Sequence, residues 1–201
     1  MFEYEKLFAD DKLHEECGIV GLYTEKPELS SHLMYYGLFA LQHRGQESAG
    51  IASSIGGGQI EQHKGMGLVA EVFNKDNLSK LNGQASIGHV RYSTTGGSHI
   101  ENAQPLVVKY KKCAFSLAHN GNLVNADSLK DILENSGVIF QTSTDTEVIA
   151  NMIARNYNDN LVRSLKNVME IIKGAFALVL MDEKSVIGVR DHFGLRPLCI
   201  G

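Results

Sequence analysis

The strand and helix signals of this chain come in blocks and do not alternate along the sequence. The stretch "CGIVGLYT", which starts at Cys17, has the β-branched, aromatic and glycine content of a buried strand. A helical pattern with Met34, Leu38 and Leu41 on one face follows it. A strand-rich middle, a group of helices and two closing strands come next. Because a doubly wound parallel sheet needs alternating strands and helices, this order predicts an α+β fold of mainly antiparallel sheets covered by helices.

Periodicity and boundary residues place the individual elements. Strands are predicted over residues 50–55, 58–65, 85–92, 113–120, 175–182 and 185–191. Helices are predicted over residues 125–137, 144–157 and about 160–173. Ser30 or Ser31 is a candidate N-cap of the first helix. The pattern Thr144-x-x-Glu147 is that of a capping box, so a helix is expected to begin there.

Composition and charge predict one globular domain, without a strongly charged surface that would attract a partner. Of the 201 residues, 43% are hydrophobic and 21% are charged, and no linker or repeat divides the chain. The formal net charge of −4 is carried by the acidic residues 1–16, and the remainder is balanced. That balance argues against nucleic acid and an anionic membrane surface as partners. With no secretory signal and no membrane span in the sequence, the cytoplasm is the expected location.

Cysteine and histidine spacing predicts no metal site in this segment. The three cysteines, Cys17, Cys113 and Cys199, match neither a disulfide framework nor a zinc pattern, and the eight histidines are dispersed. The 20 glycines contain neither a dinucleotide fingerprint nor a P-loop. Cofactor chemistry therefore finds no support here, and the cysteine at the start of a strand is the reactive group that needs an explanation.

The sequence "HNGNL" at 119–123 allows two interpretations. Asn120-Gly121 is the strongest short signal for a β-hairpin turn. Alternatively, the Asn120 side-chain amide and the Gly121 N–H are two donors aimed at one point, where they could hold a developing oxyanion. These two residues alone favour the turn.

Three charged residues also have both a structural and a functional interpretation. Arg91 is either a solvated residue at a strand end or a bidentate clamp for a carboxylate. Asp145 either stabilises a helix N-terminus or binds an ammonium group. Arg44 either ends the first helix or belongs to the site. If Arg91 and Asp145 face each other across a pocket, they would recognise the two ends of an α-amino acid.

Taken together and in order, these motifs resemble those of class II glutamine amidotransferases, which are N-terminal-nucleophile enzymes. The resemblance covers residues 17–201, and it implies a four-layer αββα sandwich of two mainly antiparallel sheets. The motifs that carry it are "CGIVG" at 17–21, "HRGQESAG" at 43–50, "GHVRYSTTG" at 88–96, "HNGNL" at 119–123, "TDTE" at 144–147 and the closing "RDHFGLRPLCIG".

The resemblance implies a role for each candidate residue. Residues 1–16 would be a cleavable acidic propeptide, and its removal would make Cys17 the N-terminal residue, nucleophile and base in one. Asn120 and Gly121 would hold the oxyanion of the attacked glutamine amide. The implied glutamine-binding residues are Arg91 for the α-carboxylate, Asp145 for the α-ammonium, and Thr94 and Arg44 near the nucleophile.

Within this family, the sequences of these motifs resemble those of the branch that makes 5-phosphoribosylamine in purine biosynthesis. The resemblance implies a phosphoribosyltransferase domain absent from this chain, which takes ammonia from the glutaminase domain and displaces pyrophosphate from phosphoribosyl pyrophosphate. Mg²⁺, and in some members a [4Fe-4S] cluster, would belong to the full-length enzyme and not to this segment. The full-length protein is expected to be a homo-oligomer.

Two alternatives stay open on sequence grounds. One is another class II amidotransferase, of the glucosamine-6-phosphate synthase type, which shares the cysteine, the Asn-Gly pair and the aspartate. The other is a non-catalytic glutamine-binding regulatory module in which residues 1–16 are never removed and Cys17 is inert. Release of glutamate from glutamine by processed protein separates the enzyme from the module.

Overall fold

The computed structural model describes residues 17–92, 97–110 and 113–201. The expected propeptide, residues 1–16, and the expected substrate residue Thr94 lie outside these ranges. The strands are Gly18–Tyr23 (β1), Ser48–Gly56 (β2), Gln59–Met66 (β3), Ala85–Arg91 (β4), Leu106–Tyr110 (β5), Cys113–Leu123 (β6), Gly174–Met181 (β7) and Val186–Arg190 (β8). The helices are Pro27–Ala40 (α1), Val69–Val72 (α2), Lys75–Leu78 (α3), Ala126–Asn135 (α4), Asp145–Arg155 (α5) and Leu161–Met169 (α6).

The strands form two four-stranded sheets, and every pairing in them is antiparallel. The first sheet has the order β1-β4-β2-β3 and the second has the order β5-β6-β7-β8. The two sheets pack face to face through a layer of apolar side chains: Ala52, Ala85, Ile87, Ala118, Val179 and Met181. A Cβ atom on Gly21 of β1 would lie 2.7 Å from Val179 of β7, so this glycine allows the sheets to approach.

Helices cover the outer face of each sheet. On the first sheet, Met34 and Leu38 of α1 are fully buried against Val90 of β4. On the second sheet, α5 buries Ile149 and Ile153 in the largest apolar cluster, to which α4 and α6 also contribute. The resulting order of helix, sheet, sheet and helix confirms the predicted α+β fold and its four-layer αββα arrangement.

The first helix begins earlier than the predicted caps. Pro27 occupies its first turn, where a proline is favoured because the missing N–H would have no helical partner. Ser30 and Ser31 lie inside the helix and are fully buried. The Oγ of Ser30 hydrogen-bonds to the Oγ of Ser86 at 2.8 Å. The N-cap prediction is therefore wrong, because these hydroxyl groups bond across to other segments instead of to the helix end.

The predicted capping box at the start of α5 is also wrong. Thr144 occupies the N-cap position, but its side chain makes no cap hydrogen bond and its Oγ1 lies 2.9 Å from that of Thr142. The carboxylate of Glu147 instead accepts the backbone N–H groups of Gln141 and Thr142. The same two side chains thus brace the loop that precedes the helix.

The sequence pattern misses β5 and the two short helices α2 and α3, whose lengths give little periodicity. Asn120 and Gly121, favoured as a hairpin turn, lie inside β6 and pair with Ala177 and Phe176 of β7. That prediction is wrong, and the alternative interpretation of these two residues stays open. Over the described ranges, none of the helices is long and apolar enough to cross a membrane.

Candidate active site

Four of the predicted site residues line one pocket at the end of the two sheets. The pocket has a volume of about 40 Å³. Its lining comprises Cys17, Arg91, Tyr92, Gln104, His119, Gly121, Thr144, Asp145 and Thr146. Arg44 and Asn120 lie next to this lining but are not part of it. The first sheet contributes a thiol and a guanidinium group, and the second sheet with α5 contributes a backbone edge and a carboxylate.

Cys17 directly precedes β1 and lies beside the end of β4. Its Sγ is 3.4 Å from both the backbone N and the backbone O of Tyr92. Ile19 packs in the layer between the sheets, and side-chain alternation places Cys17 on that same face. Arg44 donates from its Nε to the Cys17 carbonyl oxygen at 3.3 Å. Arg44 thus contacts the backbone of the cysteine and not its thiol.

Beside the pocket, no strand among the described residues pairs with this edge of β6. β5 begins at Leu106, which pairs with Leu117, so its pairing covers β6 only up to Leu117. Side chains take the place of the strand: the His119 N–H donates to Gln104 Oε1 at 2.8 Å, and the Leu123 N–H donates to Asp145 Oδ2 at 2.8 Å. Backbone N–H groups of alternate residues point to the same edge. The Gly121 N–H lies between these two and is directed toward the pocket.

Gly121 also has a structural requirement for glycine. Its φ is +138°, a value that residues with side chains rarely adopt. A Cβ atom at this position would lie 2.1 Å from the Ala175 carbonyl oxygen and 2.7 Å from the Phe176 Cα. Any larger residue would push β6 away from β7 and move the N–H that faces the pocket.

Asn120 points to the opposite face of β6 from His119. Ala118, two residues earlier, packs in the layer between the sheets, and alternation places the Asn120 side chain on that face. Asn120 is buried, and its Oδ1 has no hydrogen-bond partner among the described residues. The side chains of Cys17 and Asn120 therefore share the inter-sheet layer, although only the cysteine lines the pocket.

Arg91 is buried at the end of β4 and is held by an acid that the sequence interpretation missed. Its Nη1 forms an ion pair with Glu47 and lies 3.4 Å from the Gly97 carbonyl oxygen. Glu47 precedes β2, and its backbone N–H donates to the Arg91 carbonyl oxygen at 3.0 Å. Glu47 belongs to the "HRGQESAG" motif. An acidic residue without an assigned role in this motif was the feature that could have identified it as a site residue.

Asp145 begins α5, and both of its carboxylate oxygens bond to the protein. Oδ1 lies 3.1 Å from His119 Nδ1, and Oδ2 accepts the Leu123 N–H. Burial would raise the pKa of Asp145, but the hydrogen bond and charge of His119, with the backbone N–H groups of Leu123 and Thr146, hold that pKa below its ordinary value. Asp145 is therefore an anion at neutral pH. Its partner His119 was missed, although it begins the "HNGNL" motif.

His89 of β4 supports the same segment of β6 from the first sheet. Its Nε2 donates to the His119 carbonyl oxygen at 3.1 Å. Complete burial lowers the pKa of His89 to about 3, although the bond to His119 opposes this, and the nearby His119 and Arg91 lower it further. His89 is thus a neutral, structural histidine at physiological pH, and no sequence pattern indicated its position.

No cluster of three or more histidine, cysteine, aspartate or glutamate side chains able to hold a metal ion occurs in the part of the chain that the structure describes. The pocket brings together a thiol, a backbone N–H, a guanidinium group and a carboxylate.

This fold and this site define a class of protein, namely an αββα amidotransferase domain with a cysteine at the start of its first strand. The model for the glutamine amidotransferase domain family matches residues 89–201. The chain belongs to this family.

Two curated relatives and two solved structures make the similarity more specific. The amidophosphoribosyltransferase of Archaeoglobus fulgidus is 49% identical over 187 residues, which are 92% of this chain and 40% of the relative. That of Bacillus subtilis is 50% identical over 190 residues, 94% of this chain and 39% of the relative. The chain thus spans about two fifths of the length of these relatives.

The solved structures agree in fold as well as in sequence. A structure of the allosteric regulatory enzyme of purine biosynthesis matches with a TM-score of 0.83 and 48% identity, over 89% of this chain and 38% of that one. Glutamine phosphoribosylpyrophosphate amidotransferase from B. subtilis, complexed with ADP and GMP, matches with a TM-score of 0.80 and 46% identity over the same shares. These similarities favour the purine branch over the glucosamine-6-phosphate synthase type.

Proposed function

We propose that this chain is the glutaminase domain of an amidophosphoribosyltransferase and that it hydrolyses the side-chain amide of glutamine. One observation carries the proposal: Cys17, Gly121, Arg91 and Asp145 line a single pocket, toward which strand alternation directs the Gly121 N–H. The alternative of an inert binding module would not need a thiol beside such an N–H.

Cys17 is the proposed nucleophile once residues 1–16 have been removed. A free α-amine has a pKa of about 7.7–8.0 and a cysteine thiol one of about 8.5, so the amine can take the thiol proton near neutral pH. The thiolate attacks the amide carbon of glutamine and forms a tetrahedral intermediate. The ammonium group of Cys17 then returns the proton to the leaving nitrogen, and ammonia departs. Water hydrolyses the resulting thioester to glutamate, with the amine again as the base.

Gly121 and Asn120 are the proposed donors for the oxyanion of both tetrahedral intermediates. The Gly121 N–H already faces the pocket, since its neighbours on the same edge bond to Gln104 and Asp145. Asn120 shares the inter-sheet layer with Cys17, and in this proposal its side-chain amide N–H₂ is the second donor. Donors held in place before the reaction stabilise the transition state without reorganising during it.

Arg91 and Asp145 are the proposed receptors for the two ends of the substrate, the α-carboxylate and the α-ammonium. The pocket has a volume of about 40 Å³, below the roughly 300–1,000 Å³ of typical ligand sites, so we expect it to widen when glutamine binds. Arg44 would keep the backbone of Cys17 in place, and Thr94 is proposed as a further contact.

In the whole protein, the ammonia would pass to a phosphoribosyltransferase domain and react with phosphoribosyl pyrophosphate to give 5-phosphoribosylamine. The supporting observation is the length of the relatives, which extends well beyond the matched region. The described residues do not fit a site for Mg²⁺ or an iron–sulfur cluster, so no step here involves either. Homo-oligomerisation and a cytoplasmic location stay predictions.

The test compares processed and unprocessed protein. Intact mass identifies the form that begins at Cys17, which can also be made by expressing Met-Cys17 and letting the cell remove the methionine. This form is expected to release one glutamate and one ammonia per glutamine. Protein that retains residues 1–16, and the processed Cys17→Ala variant, are expected to be inactive. Equal activity with residues 1–16 still attached would contradict the role of the Cys17 amine.

A further inference from the structure

Both charged receptors of the pocket are backed by a second side chain, and the partner of Asp145 is the buried His119. Its Nδ1 lies 3.1 Å from Asp145 Oδ1 and 3.2 Å from Thr146 Oγ1. The Asp145 carboxylate, ionised at neutral pH, can only accept hydrogen bonds, so His119 Nδ1 carries the hydrogen that it donates. The imidazole thus fixes one oxygen of the carboxylate, while the Leu123 N–H fixes the other.

The Asp145 carboxylate keeps acceptor capacity for a ligand after its bonds to the protein. An ionised carboxylate has about four lone-pair sites, of which His119 and Leu123 occupy one on each oxygen and the Thr146 N–H occupies a third. Asp145 lines the pocket, and its side chain is 14% exposed, whereas that of His119 is 1% exposed. The acceptor capacity that remains is the part a bound cation would meet, and these protein contacts fix the orientation of the carboxylate.

Packing does not account for a histidine at this position. Its ring stands edge-on to Phe176 with the centroids 6.4 Å apart, a contact that an apolar side chain would also make. Its Nε2 is buried and has no hydrogen-bond partner in the described ranges. A buried polar atom without a partner costs stability. The benefit that offsets this cost is the bond from Nδ1 to Asp145.

We propose that His119 is a positioning residue that sets the recognition of the α-ammonium group of glutamine through Asp145. This inference rests on the proposed glutaminase function and assigns a specificity role within that site. His119 does not touch the substrate in this proposal. His119 holds the Asp145 carboxylate, which does contact the substrate. Without His119, Asp145 would rotate about its side-chain bonds, and its carboxylate would no longer be oriented toward the ammonium group.

The test measures discrimination between glutamine and its analogue without the α-amino group, 5-amino-5-oxopentanoate. The ratio of kcat/KM for the two compounds is determined for processed protein with His119, His119→Leu and His119→Asn. Loss of a charge-assisted bond predicts a fall of this ratio by roughly ten- to hundredfold in His119→Leu, mainly through KM for glutamine. The asparagine amide can donate from nearly the same position, so His119→Asn is expected to keep the ratio within about threefold.

Glu47→Gln is the matched control, because Glu47 backs Arg91, which faces the carboxylate present in both compounds. It is expected to lower kcat/KM for both and to leave their ratio unchanged. The proposal is overturned if His119→Leu lowers both values equally or changes only kcat, or if His119→Asn loses the ratio. Should the leucine variant fail to fold, the asparagine result alone decides. If the parent protein does not hydrolyse glutamine, the proposed function itself is wrong.

Discussion

The two walls of the pocket are built by different means. In the wall from the first sheet, strand pairing sets the positions: Gly18 lies opposite Val90 and Ser48 opposite Arg91, so Cys17, Arg91 and Glu47 meet at one end of the sheet. In the wall from β6 and α5, pairing with β5 reaches only Leu117, and side chains bond to the rest of that edge of β6. A backbone ladder holds its groups by many equivalent bonds, whereas the second wall depends on a few individual contacts.

This difference explains where a donor becomes available to a substrate. In a strand with neighbours on both sides, all the N–H groups are hydrogen-bonded to the adjacent strands. Beyond Leu117, the edge of β6 is completed by Gln104 and Asp145 at every second residue except Gly121. The incomplete wall is therefore the one that presents an N–H to the pocket, and it is also the wall that a single substitution should disturb most.

The largest expected effect is that of Gly121→Ala in the second wall. The added Cβ would meet the Ala175 carbonyl oxygen at 2.1 Å, in a backbone conformation with φ +138°. Strain and overpacking together predict a loss of about 4 kcal/mol in the free energy of unfolding, with loss of glutaminase activity. Urea denaturation of processed protein measures the first effect, and glutamate release measures the second.

Gly57→Ala is the control for backbone conformation alone. Gly57 also has a positive φ, +62°, but a Cβ there has nothing within 4 Å. Left-handed backbone strain predicts a loss of about 1–2 kcal/mol and full activity. If both variants lost the same stability, the close approach of β6 and β7 at Gly121 would not be a real constraint.

The contrast between the walls also separates what the sequence predicted from what it missed. Alternation and glycine placement identified β1, β4, β6 and β7, and hence the fold, because pairing in antiparallel sheets follows local patterns. Glu47, Gln104, His89 and His119 were missed as site residues. Each of these residues acts through a contact with a residue distant in sequence. Gln104 and His119, for example, are 15 positions apart. No local periodicity encodes such a contact.

The Asn-Gly error has the same cause. As a dipeptide it favours a turn, since both residues tolerate positive φ. In the fold, β7 pairs with this segment and extends it, and the positive φ of Gly121 is used within a strand. Tertiary pairing overrode a strong local preference at the residues that face the pocket, which is where such conflicts are expected.

The walls are also expected to respond to acid in different pH ranges, and His89 of the first wall gives the larger effect. Its pKa is about 3 in the folded protein and about 6.5 when unfolded. Its stabilising contribution is therefore complete above about pH 6.5 and is lost as the pH falls toward 3, because the unfolded state binds the proton first. This linkage predicts a loss of about 2 kcal/mol in the free energy of unfolding between pH 7 and pH 5.

His89→Gln tests this range, since its amide can donate to the His119 carbonyl oxygen but does not titrate. The variant is expected to show a flatter dependence of unfolding free energy on pH between 7 and 5 than the parent protein. His32→Gln, at an exposed position of α1, is the control and should reproduce the parent curve. Parallel curves for all three proteins would show that His89 is not buried in the neutral form.

Asp145 of the second wall gives the smaller effect, at lower pH. Its pKa is held below the unfolded value of about 3.9, so its contribution is complete above about pH 5 and is lost as the pH falls through the folded pKa. Asp145→Asn is expected to be less stable than the parent at pH 6 by about 1–2 kcal/mol, since charge-assisted bonds to His119 and Leu123 become neutral ones. That difference should shrink below pH 4.

The exposed substitution Asp131→Asn on α4 serves as the control and should leave the unfolding curve unchanged at both pH values. The same Asp145→Asn protein should also lose most of its preference for glutamine over the analogue without an α-amino group. If the stability difference persisted unchanged at pH 3, the contacts of Asp145 would not depend on its charge. The second wall would then be held by shape, as the first is held by its strands, and the electrostatic distinction between the two walls would fail.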